Sequence, residues 1–271
     1  MVAEWQFGLK WSVLMKKILK NIPGIGPALK WLKKKIDPPV RRDAGYWLGE
    51  FFPNPLEQVV QIGSNDGVSN DPLHQLLDSC PASRALFVEP VPYLFARLQE
   101  NYKDWSQYAF ENSAINDGSK AIFYWIGVEA VGNVIDLPEW YSEINSFDKE
   151  HIVTLLPRCE PYIQEVEIEG ITLADLFGKH EISGIDILHI DTEGYDFKIL
   201  SQLDLRKYLP RAILYEHKHL GEEDLKASLD FLRNTYVIFQ FGGDTLAVLR
   251  SETQHWESVL SRITCFRVGA G

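Results

Sequence analysis

From residue 56 onward, short β-branched runs alternate with helical segments, and that alternation restricts the chain more than any other feature. Parallel strands need long crossover connections, which helices supply, so the pattern implies an α/β fold with a mainly parallel sheet covered on both faces. Residues 59–62, 85–88, 185–190 and 212–215 read as central strands, and 71–77, 92–101, 194–200 and 222–232 as crossover helices. Residues 237–241 and 246–249, joined through Gly242-Gly243-Asp244-Thr245, are expected to form a C-terminal antiparallel hairpin. The segment 127–160 fits no strand–helix repeat and reads as an insertion, where specificity is commonly set. With 271 residues, 45% of them hydrophobic, the chain has ample material for one core, so residues 44–271 are read as one domain.

Charge divides the chain differently. Residues 1–36 carry eight lysines against Glu4, whereas the whole chain has a net charge of -11, so the remainder is strongly acidic. An acidic body argues against nucleic acid as a partner, because that binding rests on a basic surface that neutralises phosphates. At helical spacing, Phe7, Trp11, Leu14, Met15, Ile18 and Ile22 share one face, and Lys10, Lys16, Lys17 and Lys20 share the other. The reading is a basic amphipathic helix ended by Pro23-Gly24-Ile25-Gly26-Pro27, within an arm and linker spanning residues 1–43. Residues 5–36 could thus touch an anionic membrane peripherally, or pack their apolar stripe on the domain or on a second copy in a homo-oligomer. No stretch approaches the roughly 18 apolar residues of a membrane span, and the lysines interrupt any signal-peptide core. Cys80, Cys159 and Cys265 have no metal-like spacing and build no disulfide framework, which fits a reducing, cytoplasmic setting.

Val59-Val60-Gln61-Ile62-Gly63-Ser64-Asn65-Asp66-Gly67 is an apolar strand running into a turn with glycines four apart. Glycine allows positive φ and close approach of a ligand at the C-terminal end of a strand, where open α/β sheets bind ligands. The spacing is neither GxGxxG nor a Walker loop, and alone it reads equally well as a plain tight turn. Glu89 ends the next strand, 22 residues after Gly67, where a carboxylate can accept both hydroxyls of a ribose. The alternative is a helix-capping acid ahead of Pro90, but paired with the glycine turn Glu89 implies a nucleoside-bearing cofactor.

These residues, together with Val88-Glu89-Pro90-Val91-Pro92, Asn112-Ser113-Ala114-Ile115 and Ile190-Asp191-Thr192-Glu193-Gly194-Tyr195-Asp196, resemble the FkbM family of S-adenosylmethionine-dependent methyltransferases. The resemblance covers roughly residues 56–250. It implies a Rossmann-like class I methyltransferase fold with a seven-stranded sheet and methyl transfer from S-adenosylmethionine, usually to a hydroxyl of a sugar or secondary metabolite. Carried over by motif, the cofactor-binding set is Gln61, Gly63, Ser64, Asn65, Gly67, Glu89, Ser113 and Ala114. Gly63, Asn65 and Gly67 would hold the methionine and ribose part, Glu89 the ribose hydroxyls, and Ser113 with Ala114 the adenine edge. Gln61 stands where the family usually has aspartate, so a contact to the cofactor's ammonium would become a neutral hydrogen bond.

On the acceptor side, Asp191 should emerge at the same sheet edge, followed by Glu193 and Asp196, while His189 reads as a buried, satisfied structural histidine. The next strand ends Glu216-His217-Lys218-His219, which puts an acid and an imidazole beside Asp191 if the two strands are neighbours. An alcohol's pKa lies far above neutrality, so its methylation needs a general base or a metal. His217 with Asp191 supplies the base; Asp191 with Glu216 would hold Mg2+ or Mn2+, as some related sugar methyltransferases do. Lys218 and His219 read as surface residues. In the insertion, Trp140, Tyr141, Ser146, Phe147 and His151 could bind a small-molecule or glycan acceptor, or form a satellite core. Two other functions compete: a catalytically silent module docking to membrane or a synthase partner through the basic helix, and a nicotinamide oxidoreductase, which the glycine spacing disfavours.

Overall fold

The structure, a computed structural model, describes residues 43–52 and 56–263. The basic arm lies outside the described residues, as does Cys265; Asp43, the last residue of the expected linker, caps the first described helix by accepting from Tyr46 N at 3.0 Å. In chain order, α1 (Ala44–Phe51) precedes β1 (Gln58–Ile62), α2 (His74–Ser79), β2 (Arg84–Val88), α3 (Pro92–Asn101) and β3 (Tyr108–Glu111). Next come β4 (Ala114–Ile115), β5 (Ala121–Ile126), β6 (Asn145–Ser146), α4 (Lys149–Leu155), β7 (Ile163–Ile168), β8 (Gly170–Ile171) and α5 (Leu173–Lys179). The alternation then resumes with β9 (Ile187–Ile190), α6 (Asp196–Leu200), β10 (Ala212–Glu216) and α7 (Glu222–Leu232), and ends on β11 (Tyr236–Phe241), β12 (Asp244–Leu249) and α8 (Glu257–Ile263).

The seven-stranded sheet has the order β11-β12-β10-β9-β1-β2-β3. Its strands are parallel except β12, which runs antiparallel between β10 and β11, so the hairpin's second strand is the one that joins the sheet. Every residue of β1 is buried, as expected for a strand covered on both faces. Alternation then sorts the core into two layers. Val59, Phe87, Ile187 and Leu214 pack with Trp47, Phe51, Leu77 and Leu98 of α1, α2 and α3. Val60, Ile62, Leu188, Ile190 and Ile213 pack with Leu176, Phe177, Ile199 and Leu232 of α5, α6 and α7.

Of the element starts that differ from the sequence reading, two have clear local reasons. The helix read from residue 71 begins at His74, because the Asp71 carboxylate accepts from Leu73 N at 2.7 Å in a turn through Pro72. The strand read from residue 185 begins at Ile187, because Asp186 turns to accept from Glu57 N and Gln58 N and to pair with Arg211. The insertion carries more order than expected. β5 pairs antiparallel with β7 from Ala121↔Ile168 to Ile126↔Ile163, β6 joins β5's other edge, and the intervening residues close over Ile126, Ala130, Ile144, Ile152 and Cys159. No helix among the described residues is long and apolar enough to cross a membrane.

Candidate active site

The turn after β1 is held by backbone. Gly63 N and Ser64 N both donate to Val88 O, at 2.9 and 3.1 Å, and Ser64 Oγ accepts from Val88 N at 3.1 Å, which locks the ends of β1 and β2 together. Gly63 has φ +78°, and a Cβ there would strike the carbonyl oxygen of Asp191, so only glycine lets the β1 and β9 turns lie against each other. Asn65, in the left-handed region at φ +49°, donates its N–H to Glu89 Oε2 at 2.8 Å, and Val91 N donates to Glu89 Oε1 at 2.8 Å. Glu89 is thus 2% exposed and ties the glycine turn to the start of α3, yet each oxygen keeps a further lone pair. Burial pushes its carboxyl up to about 8 against the pull of those two N–H groups. Gly67 packs against Leu98 and Tyr102, and Tyr102 Oη donates to its carbonyl at 2.6 Å.

Beyond β3, Ser113 Oγ donates to Glu111 Oε1 at 2.7 Å, and Ala114 packs against the insertion's Phe123 and Trp125. Sequence reasoning missed Glu111, which ends β3 as Glu89 ends the region of β2; that parallel was the available signal. Lys179 Nζ and His180 Nε2 lie 2.8 and 2.9 Å from Glu111 Oε2. Burial raises the Glu111 carboxyl, but Lys179, His180 and Ser113 outweigh it and hold the group below its ordinary value.

At the other end of this edge, β9 and β10 are parallel neighbours with Ile190 opposite Tyr215, so Asp191 and Glu216 emerge side by side. Asp191, Glu193 and Glu216 bring carboxylate oxygens within 4.8 Å of one another, and His151, Glu193 and His219 form a second such group. Asp196, fully buried, braces the cluster: it accepts from Thr192 Oγ1 at 3.1 Å, Gly194 N at 3.2 Å and Glu216 N at 3.3 Å. Burial, then the charges of Glu216, Asp196 and Glu193, drives Asp191 well above the carboxylate range. Burial, Glu193 and Asp196 bring Glu216 to about 8, and burial lifts Asp196 to about 7. Near neutrality these crowded acids therefore retain protons.

The imidazole beside the acids is His219, not His217. His219 Nε2 lies 3.1 Å from Glu193 Oε2 and 3.8 Å from Glu216 Oε2, and burial, Lys218 and His151 push it down to about 4. His217, one residue past the strand's Glu216, turns to the other side of β10, where its Nδ1 lies 2.9 Å from Thr245 Oγ1 on β12. His189 is buried as expected but not satisfied, since its Nδ1 has no hydrogen-bond partner. Of the insertion residues, His151 reaches the cluster, its ring edge-on to His219 at 5.5 Å. Phe147 meets Phe123 edge-on at 5.0 Å and Tyr195 at a tilt at 4.9 Å. Tyr141 packs into the insertion's own core, Ser146 Oγ accepts from Asp148 N, and Trp140 stays exposed.

The strand order, with one antiparallel strand inserted next to the edge and a glycine turn after the central strand, is that of the Rossmann-like class I methyltransferases. Residues 61–256 match the family model described as "Methyltransferase FkbM domain", and the chain belongs to that family. No curated protein matches it. Among solved structures it is similar to a methyltransferase FkbM from Methylobacillus flagellatus KT, with 15% identity and a TM-score of 0.45 over 71% of this chain and 43% of that one. It is also similar to a putative caffeoyl-CoA O-methyltransferase from Staphylococcus aureus (8% identity, TM-score 0.44, 89% and 99% covered). A methyltransferase from Geobacter sulfurreducens is a third (15% identity, TM-score 0.41, 88% and 96% covered). The chain spans less than half the length of the Methylobacillus protein.

Proposed function

We propose that this protein transfers a methyl group from S-adenosylmethionine to a hydroxyl oxygen of a polar acceptor, a small molecule or glycan. The observation that carries the reading is Glu89: a buried carboxylate held by the N–H groups of the glycine turn and of Val91, on the same sheet edge as the Asp191–Glu216–His219 cluster. The residues fit the cofactor. Glu89 retains lone pairs for the ribose hydroxyls, Gln61 Oε1 is a buried acceptor without a donor, and Gly63, Ser64, Asn65 and Gly67 shape the turn between them. Ser113 and Ala114 would take the adenine edge. When bound, S-adenosylmethionine supplies an activated methyl group; the protein's part is to position the acceptor and manage its proton.

For that proton the geometry favours His219. Burial keeps the imidazole neutral, and Glu193 at Nε2 fixes the tautomer that leaves Nδ1 to accept it, with the carboxylate stabilising the imidazolium that forms. Asp191 would orient the hydroxyl, and the insertion, reaching the cluster through His151, would select the acceptor. A second reading places Mg2+ or Mn2+ on Asp191 and Glu216, favoured by the close approach of their oxygens and that of Glu193.

Calorimetry with S-adenosylhomocysteine, with and without magnesium, tests the proposal. Micromolar binding is expected, weakened at least tenfold, about 1.4 kcal/mol or more, in Glu89→Gln, which puts an amide NH2 where one acceptor oxygen faces the ribose hydroxyls. His219→Asn should bind the nucleoside normally and lose turnover in a screen of hydroxylated acceptors. Absence of binding by folded wild-type protein overturns the cofactor reading, and tighter binding with magnesium favours the metal.

A further inference from the structure

Three side chains from separate parts of the chain meet at the sheet edge: His151 of α4 in the insertion, Glu193 in the turn after β9, and His219 in the turn after β10. One ligand atom from each lies within 4.8 Å of the other two. Local structure explains the meeting. A Cβ on Gly194, which has φ +100°, would come within 3.1 Å of His219 O; without one, the two turns close on each other and His219 Nε2 lies 3.1 Å from Glu193 Oε2. Fully buried Ile152 anchors α4 in the insertion's core, and the ring of the adjacent His151 lies 5.5 Å from that of His219. His219 has an acceptor in Glu193, but His151 Nε2 is buried without a hydrogen-bond partner, as is Glu216 Oε2, 3.8 Å from His219 Nε2. Buried polar atoms of this kind call for an occupant. Water would satisfy them, but Glu193 also stands within 4.8 Å of Asp191 and Glu216, and a cation, unlike water, offsets the repulsion of crowded carboxyls when they ionise. Two imidazoles and a carboxylate favour a divalent transition ion, whereas magnesium selects oxygen ligands. Zinc takes such ligands at about 2.0–2.2 Å in tetrahedral geometry, which sets neighbouring ligand atoms about 3.3 Å apart. The separation of Glu193 and His219 is already close to that.

We propose that His151, Glu193 and His219 bind one zinc ion, with a fourth position open, and that the ion fastens the insertion to the β9 and β10 turns. Its ligands are distinct from the Asp191–Glu216 pair considered for magnesium or manganese, apart from Glu193, whose carboxylate stands beside both. The site holds whether or not the glycine turn binds a nucleoside. Its consequence for catalysis rests on the reading of His219 as the base. Zinc on Nε2 takes the place of the proton that Nε2 donates to Glu193; that proton moves through solvent to Nδ1, and the imidazole stays neutral. Nδ1 then has no lone pair left to accept the proton of the acceptor hydroxyl, so the ion silences the base.

Calorimetry on the full chain, free of any added histidine tag, tests the site with zinc chloride and magnesium chloride. One zinc ion per chain should bind about a hundredfold or more tightly than magnesium. His151→Ala and Glu193→Gln should each weaken zinc by roughly tenfold or more, and His151→Ala should leave S-adenosylhomocysteine affinity unchanged. Hydrogen exchange in residues 145–155 should slow when zinc is bound. Nitrogen NMR of the imidazoles should find the ring proton of His219 on Nε2 in the metal-free chain and on Nδ1 with zinc. Equal affinity for zinc and magnesium, or zinc affinity untouched by His151→Ala, overturns the site and returns the ion to the carboxyls. A ring proton that stays on Nε2 in the zinc-bound chain overturns the silencing of the base. Protein that binds S-adenosylhomocysteine but not zinc overturns the metal site and leaves the cofactor reading standing; protein that binds zinc but not the nucleoside does the reverse. The comparison of the two ions needs no variant, so it decides the matter even where Glu193→Gln does not fold.

Discussion

Glu89, Glu216, Asp196 and Asp71 share an electrostatic predicament whose sign can be worked out. Their folded values stand at about 8, 8, 7 and 6, against ordinary values of 4.5 for the two glutamates and 3.8 for the two aspartates. An acid whose pKa rises on folding holds its proton in the native state after the unfolded chain has lost it. Between the two values the native state binds more protons, so raising the pH costs stability. Because His189 and His219, held near 4, act in the opposite sense up to about pH 6.5, the ligand-free protein should lose stability most clearly between about pH 6.5 and 8, visible as a falling Tm in calorimetric scans. Glu89→Gln should flatten part of that slope, and a Tm that rises over the interval would contradict the assignment. Residue-scale legibility follows from the same crowding. Glu89, Asp191 and Glu216 were readable because each ends a buried strand, where alternation and topology place it at the sheet edge. His217 and His219 were not, because alternation stops with β10 at Glu216 and the following turn sends one imidazole to Thr245 and the other to Glu193.

At the scale of elements, six strands of the main sheet were legible because most are short continuous apolar runs separated by crossover helices, whereas β3, whose two middle residues are only half-buried, gave no such run. The insertion was not legible, because β5 and β7 pair across the whole of residues 127–162 and β6 is two residues long, so no local pattern announces them. Its order is long-range: Ile152 of α4, fully buried, packs with Ile126 of β5, Ala130, Ile144 and Cys159 in a cluster separate from both main cores. That separation makes a prediction about cooperativity. Ile152→Ala should cost about 2–5 kcal/mol locally, and a unit with its own small core can open without the sheet. Hydrogen exchange should accelerate in residues 145–155 while β1, β9 and β10 stay protected, and S-adenosylhomocysteine affinity should be unchanged. Because His151 rides on α4 and meets His219 at 5.5 Å, turnover should fall with that loosening. Uniform acceleration across the main sheet would instead make the insertion part of one cooperative core.

For the whole molecule, charge is the property that no single element displays. Eight lysines fall within residues 1–36, opposed there by Glu4 alone, while the full chain is at -11, so the molecule is a strong charge dipole along its sequence. A basic segment near an anionic bilayer gains about 1 kcal/mol per lysine close to the surface. The acidic remainder is repelled, so attraction would be confined to the arm and would weaken as salt shortens the screening length to about 8 Å at physiological strength. We therefore expect the full chain to pellet with phosphatidylserine-containing vesicles at low ionic strength and to be released as salt is raised. A chain lacking residues 1–36 should stay in the supernatant throughout while binding S-adenosylhomocysteine as the full chain does. Vesicles of neutral lipid should retain neither form. If the full chain fails to pellet at low salt, the lysines do not anchor it to the bilayer; pelleting that ignores salt would assign the binding to the apolar side chains of residues 1–36 rather than to charge.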